Sequence, residues 1–257
     1  MTQPRAYKTR GIVLRARNLG EADKIVTLFT TEYGKVDAVA KGVRRTKSHL
    51  AGRLEFAGEA LLTMHRGRNL DVIVSADLSR ANWTGIVEPE AFAATNVIIE
   101  IVDTLCEREM PLPEVYDLLS NAISAIAAAE KPLTLLPRFE LRLLSVLGLA
   151  PPTDTCVRCG KKLTICHPEE RSVSKDALAW LDVESGGIAG SECRERWRNA
   201  LELDAEDLVN FTALAAPRGE GAALLARPRV AEAIDLLVSH HLGRKPRADA
   251  HMAEFVR

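Results

Sequence analysis

KTRGIVLRARNLGEADKIVTLFTTEYGKVDAVAK, residues 8–41, reads as three strands joined by two turns. Segments 8–17, 23–30 and 34–41 are rich in β-branched residues, and turn formers break them at Asn18–Gly20 and Tyr33–Gly34. Two more strands follow a basic tract: EALLTMHR (59–66) and LDVIVSAD (70–77), separated by the turn-like Gly67-Arg68-Asn69. Five strands with almost no helical pattern among them predict a small closed barrel. The five-stranded OB-fold is the fitting architecture, and its faces and loops commonly take oligonucleotides.

Charge points the same way. Residues 1–80 hold 15 Lys and Arg against eight Asp and Glu, a surplus of seven, whereas residues 81–257 hold 19 against 27. The net charge of −1 therefore conceals a basic head on an acidic body. No acid occurs between Asp37 and Glu55, a stretch holding Lys41, Arg44, Arg45, Lys47, Arg53 and His49. Clustered cations attract polyanions through local potential whatever the net charge, and nucleic acid is the expected partner, since each phosphate contact releases counterions. Arg10, Arg15, Arg17, Lys35, Arg66 and Arg68 are candidates to extend the patch, although strand alternation forbids all of them from facing one way. Tyr33, beside a turn glycine, is the best candidate for stacking on an unpaired base.

From Pro89 the hydrophobic period becomes helical. Residues 91–109 place Phe92, Thr95, Ile98, Ile99, Val102 and Leu105 on one face, and 113–130, 133–150, 203–216 and 229–242 follow suit. The expected architecture is multi-domain α+β. Residues 1–80 form the OB-fold barrel, 81–150 and 196–257 a helical bundle, and 151–195 a cysteine-bearing, zinc-ribbon-like insertion. His240-His241, at the end of the last helix before Gly243, fit a cationic C-terminal cap better than a metal pair.

Cys156-Val-Arg-Cys159-Gly160 is a CxxCG knuckle, two thiolates spaced to grip one ion, with Cys166, His167 and Cys193 as further ligand candidates. Zinc favours such soft tetrahedral sets and would cross-link a segment poor in apolar residues. The alternative is a ribbon-like subdomain that has lost its ion. Cys106 sits in an apolar helical pattern and reads as core. Phosphate-loop, GxGxxG, HExxH and GxSxG signatures are all missing, so the chain reads as a binder rather than an enzyme. Without a run of about 18 apolar residues or the apolar core of a secretory signal at residues 1–11, and with an odd cysteine count, the expected location is cytoplasmic and nucleoid-associated.

The block YKTRGIVLRARNLGEADKIVTLFTTEYGKVDAVAKGVRRTKS (7–48) and the helix end HHLGRK (240–245) resemble the RecO family of bacterial DNA-repair and recombination mediators. The resemblance implies an OB domain, a helical domain and, in many members, a zinc-ribbon-like segment. It implies binding of single- and double-stranded DNA and annealing of complementary strands. With RecR, such proteins help load RecA onto DNA coated by single-strand-binding protein (SSB). SSB's acidic tail would need a basic, partly apolar pocket, for which Arg138 and Arg142, one helical turn apart among leucines, are the candidates. One departure bears on the metal: many relatives carry a second CxxC after a Gly-Gly turn, whereas here Gly190 occupies the third cysteine's position ahead of Cys193. Cys166 is then the substitute ligand and His167 the poorer one, or the site is empty. The competing reading is a scaffold that organises other proteins, with nucleic acid incidental.

Overall fold

The computed structural model describes residues 5–82, 85–163, 179–190, 193, 200–217 and 224–247. Five strands close into a barrel: β1 (Ala6–Leu19), β2 (Asp23–Thr30), β3 (Gly34–Ala40), β4 (Glu59–His65) and β5 (Asp71–Arg80), in the order β1-β2-β3-β5-β4. β1 serves two neighbours. Its first half pairs antiparallel with β4, from Ala6 opposite His65 to Ile12 opposite Glu59, and its second half pairs with β2 from Gly11 to Leu19. A bulge between Val13 and Arg15 lies where β1 leaves β4 and continues along β2, a device that bends a strand locally. Gly11 is dictated by space at this crossing, because a Cβ there would stand 2.9 Å from Leu62 Cδ1. A parallel pairing of β3 with β5, Ala38 beside Asp71 and Val39 beside Val72, closes the barrel as the strand pattern predicts.

Inward side chains of alternating strand positions fill the barrel, among them Val26, Leu28, Ala38, Leu62, Met64 and Ile73. The basic loop between β3 and β4 contributes Val43, Leu50 and Leu54 to the same core. It is therefore pinned by apolar side chains rather than merely solvated.

Two helices with proline in the first turn, α1 (Pro89–Leu105) and α2 (Pro113–Ala128), pack on each other, and α1 also packs on β1. The expected buried stripe of α1 needs correction at one end. Phe92 is 52% exposed, lying against the Phe56 ring at 5.7 Å, while Ala91, Ala94, Thr95, Ile98, Ile101 and Val102 are buried. Small residues at 91, 93 and 94 let neighbouring elements approach, so the helix buries more of its circumference than one stripe. Glu59 of β4 is buried, with Tyr116 Oη donating to it at 3.1 Å and Ser120 Oγ at 2.7 Å, which ties α2 to the barrel.

The second group of elements comprises α3 (Leu136–Val146), β6 (Ala179–Asp182), β7 (Gly187–Gly190), β8 (Leu201–Leu203), α4 (Ala205–Ala215) and α5 (Pro228–Leu242). Here α3, α4 and α5 pack together, and the three strands form a sheet in the order β7-β6-β8. Gly243, with φ of 69°, ends α5 in the left-handed cap expected of it. The described residues up to Leu133, with Pro246 and Arg247, make one compact unit, and Thr134–Lys245 make the other. Sequence periodicity drew its boundary after residue 80 and grouped all five helices. An apolar face marks a helix as packed without naming the surface it packs on. No described helix is long and apolar enough to cross a membrane.

Candidate functional site

The basic tract leaves β3 at Lys41 and is held by its backbone. Gly42, with φ of 65°, donates its N–H to Asp23 Oδ1 at 2.7 Å, and Arg44 N–H donates to the Ala22 carbonyl at 3.0 Å. The tract thus docks on the β1–β2 turn, while Val43 and Leu50 point into the core. Lys41, Arg44, Arg45 and Lys47 are exposed, and among the described residues none has a carboxylate partner. Arg44 Nη1 donates to the Gly20 carbonyl at 3.1 Å. His49 lies within 3.3 Å of the Val74 carbonyl. Arg53 is committed to β5, donating to the Ala76 carbonyl at 2.8 Å and pairing with Asp77 at 3.1 Å.

Other cations of the predicted patch divide sharply. Lys35 is 7% exposed and needs correction as a surface cation: its ammonium pairs with Asp103 of α1 at 3.3 Å and donates to the Asp103 carbonyl. Burial of a lysine demands such a partner. Arg15 meets the same carboxylate at 2.8 Å. Arg10 is exposed near Glu32. Arg66 and Arg68 sit in the β4–β5 hairpin, where the Arg66 guanidinium lies 4.8 Å from the Tyr7 ring centre and 5.3 Å from that of Tyr33. The two rings are 4.4 Å apart and tilted by 57°. The aromatic cluster and the basic tract adjoin opposite ends of β3, since Tyr33 precedes its first residue and Lys41 follows its last. Tyr7 is 7% exposed, and sequence alternation alone had no means of placing it beside Tyr33.

In the second unit the Sγ atoms of Cys156, Cys159 and Cys193 lie within 4.8 Å of one another. A tetrahedral zinc with bonds of about 2.3 Å sets its sulfurs about 3.8 Å apart, so modest contraction would close this trio on an ion. The knuckle is built for thiolate. Gly160 turns with φ of 69°, and Val157 N–H bonds the Ile188 carbonyl at 2.9 Å, docking the knuckle on β7. Burial pushes the Cys156 thiol up, but backbone N–H groups of Gly190, Cys159 and Arg158 outweigh it and bring it down to about 6. Cys193 is pushed up to about 11 because its thiol proton is held by hydrogen bonds to Cys159 and Cys156. Gly190, the expected gap in the ligand set, thus brings a backbone N–H where many relatives carry their third cysteine. Cys166 and His167 lie outside the described residues. Cys106, the residue that caps the end of α1, is buried and kept a thiol by burial, which pushes it to about 11.

Arg138 and Arg142 both lie on α3. Arg142 donates to the carbonyl of Ala215, the last residue of α4, at 2.7 Å, and so secures a helix end. Arg138 Nη1 is buried with no hydrogen-bond partner among the described residues.

Comparison with known proteins separates the barrel from everything that follows it, α1 and α2 included. Residues 1–82 match the model described as "Recombination protein O N terminal", and residues 87–249 match "Recombination protein O C terminal". The junction falls just beyond the barrel's last strand. A protein of Bifidobacterium adolescentis named "DNA repair protein RecO" is 40% identical over 187 residues, covering 71% of each chain. One of the same name from Nocardioides sp. is 38% identical over 191 residues, covering 73% of this chain and 74% of its own. The barrel, the helices and the cysteine trio are thus joined to two matching models and to relatives of nearly matched length, and this chain belongs to the RecO family.

Proposed function

We propose that this chain is a non-catalytic mediator of DNA repair and recombination that binds single- and double-stranded DNA through its barrel and anneals complementary strands. The observation that carries the reading is the loop of Lys41, Arg44, Arg45 and Lys47, exposed and free of carboxylate partners among the described residues. Arg10 and Arg68 add exposed charge elsewhere on the barrel. Pinning by Val43 and Leu50 holds the cations in place before DNA arrives, which lowers the entropy lost on binding. A cationic surface lowers the repulsion between two phosphate backbones, so annealing needs no nucleotide hydrolysis.

The relatives' shared name ties them to DNA repair, and the family likeness extends the reading to partners. With RecR, the protein helps load RecA onto SSB-coated single strands, and the α3 face around Arg138 is the place for SSB's acidic tail. Cys156, Cys159 and Cys193 hold a zinc ion, with Cys166 as the fourth ligand; the ion's work is to cross-link the knuckle to the strands beside it.

Replacing Arg44, Arg45 and Lys47 together by Glu tests the central point. Loss of three phosphate contacts reduces the slope of log affinity against log salt by about 3. The same variant fails to anneal complementary oligonucleotides coated with SSB. An unchanged slope across a salt titration removes the loop from the DNA interface.

A further inference from the structure

A cleft of about 390 Å³ opens on the barrel between the β2–β3 turn, the β4–β5 hairpin and residues 108–111 after α1. Its size falls in the range of small-ligand sites, roughly 300–1,000 Å³. Most of the charge on its walls is already spent. Asp37 accepts from Thr27 at 2.6 Å and pairs with Arg108 at 2.8 Å. Asp71 accepts from the Tyr7 phenol at 2.5 Å and from the Gly67 N–H at 3.0 Å. Lys35 is held by Asp103. Glu32 accepts from the Thr9 and Thr31 hydroxyls.

What remains for a ligand is specific. Arg66, Arg68, Asn69 and Glu109 are exposed along the cleft, and among the described residues the side chains of Arg68, Asn69 and Glu109 have no partner, so two guanidiniums face one free carboxylate. Arg66 lies over two tyrosine rings and leaves its outer side for another flat group. Burial and the bond to Asp71 raise the Tyr7 phenol well above its ordinary range, so it adds no negative charge to repel an anion. A flat π-system, an amide able to donate and accept, and an uncommitted guanidinium match a base plane, a base edge and a phosphate respectively.

We propose that this cleft takes one unstacked nucleotide of a single strand, its base against Tyr33 and Arg66, its edge at Asn69 and its phosphate at Arg68. The inference rests on the DNA-binding reading and deepens it, by giving the barrel a contact that a paired, stacked duplex cannot make. Single strands gain a base contact, while duplexes are held by charge alone.

The test compares the full-length protein with Tyr33→Leu, Asn69→Ala and Arg68→Gln. Binding to a single strand and to its duplex is followed by anisotropy, and 2-aminopurine in the strand reports a base leaving its stack. Tyr33→Leu lowers single-strand affinity roughly tenfold, leaves duplex affinity and salt slope unchanged, and abolishes the 2-aminopurine change. Arg68→Gln instead reduces the salt slope by about 1. If Tyr33→Leu perturbs folding, as thermal unfolding would reveal, the exposed Asn69→Ala carries the same single-strand-only expectation. Equal losses on single strand and duplex, or no loss on either, overturn the cleft. So does capture of an acidic peptide that depends on Tyr33 while DNA affinity stays put. The Glu triple variant in the same assay separates the two readings. If it loses both substrates while Tyr33→Leu loses neither, the cleft fails and the basic loop stands. A native protein that binds neither substrate ends both.

Discussion

Lys35 and Asp37 stand two positions apart on β3, and each is neutralised by a group from the segment around the end of α1. Lys35 meets Asp103, and Asp37 meets Arg108 as well as the Thr27 hydroxyl. Burial pushes the Asp37 carboxyl up, but Thr27 and Arg108 outweigh it and hold the group below the usual carboxylate range. A carboxylate depressed in the folded state adds stability above its unfolded pKa, near 4, and loses it as pH falls through the lower folded value. Asp37→Asn is therefore expected to cost about 2 kcal/mol at pH 7, with the gap from the native protein narrowing below about pH 4. Urea melts at pH 7 and pH 3 check this, and a gap of equal size at both would refute it. The same residues set a limit on reading charge from sequence. A run of cations is visible there, but Lys35 and Arg15 share an acid lying in a helix that announces only its apolar stripe. The acid-free tract from Lys41 to Lys47 was readable because its nearest acids in sequence, Asp37 and Glu55, lie four and eight positions outside it and neither pairs with it.

The barrel strands were the most readable elements, because period-two alternation and turn residues are local signals, whereas β6, β7 and β8, of three or four residues each, are too short to show a period. The ends of β2 fall where the pattern put them, and those of β3 and β4 within one residue. The bulge of β1 was invisible, since it falls where the strand exchanges β4 for β2 as its partner, a pairing between segments distant in sequence. Helices were readable as helices but not by partner, and Glu59 is the clearest case. A carboxylate inside EALLTMH breaks no local rule, yet Tyr116 and Ser120 of α2 converge on it, and Arg80 lies 3.9 Å away. Removing it leaves two buried hydroxyls and a guanidinium short of their acceptor. Glu59→Ala should lower the unfolding free energy by about 3 kcal/mol. Tyr116→Phe removes one bond of the same network, so the double variant should fall short of the sum by about 1 kcal/mol. Strict additivity in denaturant melts would mean that Glu59 does not join α2 to the barrel.

At the scale of the molecule, two chemistries occupy two units: cationic and aromatic groups on the barrel, and thiols beside the β7-β6-β8 sheet. The CxxC spacing disclosed the second chemistry, and the Gly-Gly turn disclosed its gap. The sequence did not disclose that the Gly190 N–H bonds the Cys156 sulfur, because a backbone group has no letter of its own. If the barrel binds DNA and the thiols hold zinc, as proposed, either property is removable without the other. Elemental analysis of the purified full-length protein should give about one zinc per chain, and Cys156→Ser should give none. DNA affinity and salt slope should survive Cys156→Ser, since no barrel cation belongs to the cysteine unit. Gly190→Cys runs the other way: its Cβ would lie 3.2 Å from Leu163 Cδ2, the movable end of a side chain, so the thiol can be accommodated. In a Cys166→Ser background, where the proposed fourth ligand is missing, the thiolate at 190 should complete the tetrahedron and slow zinc loss to a chelator severalfold relative to Cys166→Ser alone. Were Cys156→Ser to lose zinc and DNA affinity together, with the barrel still folded by thermal melting, the DNA surface could not be confined to the barrel, and the basic loop would be only part of it.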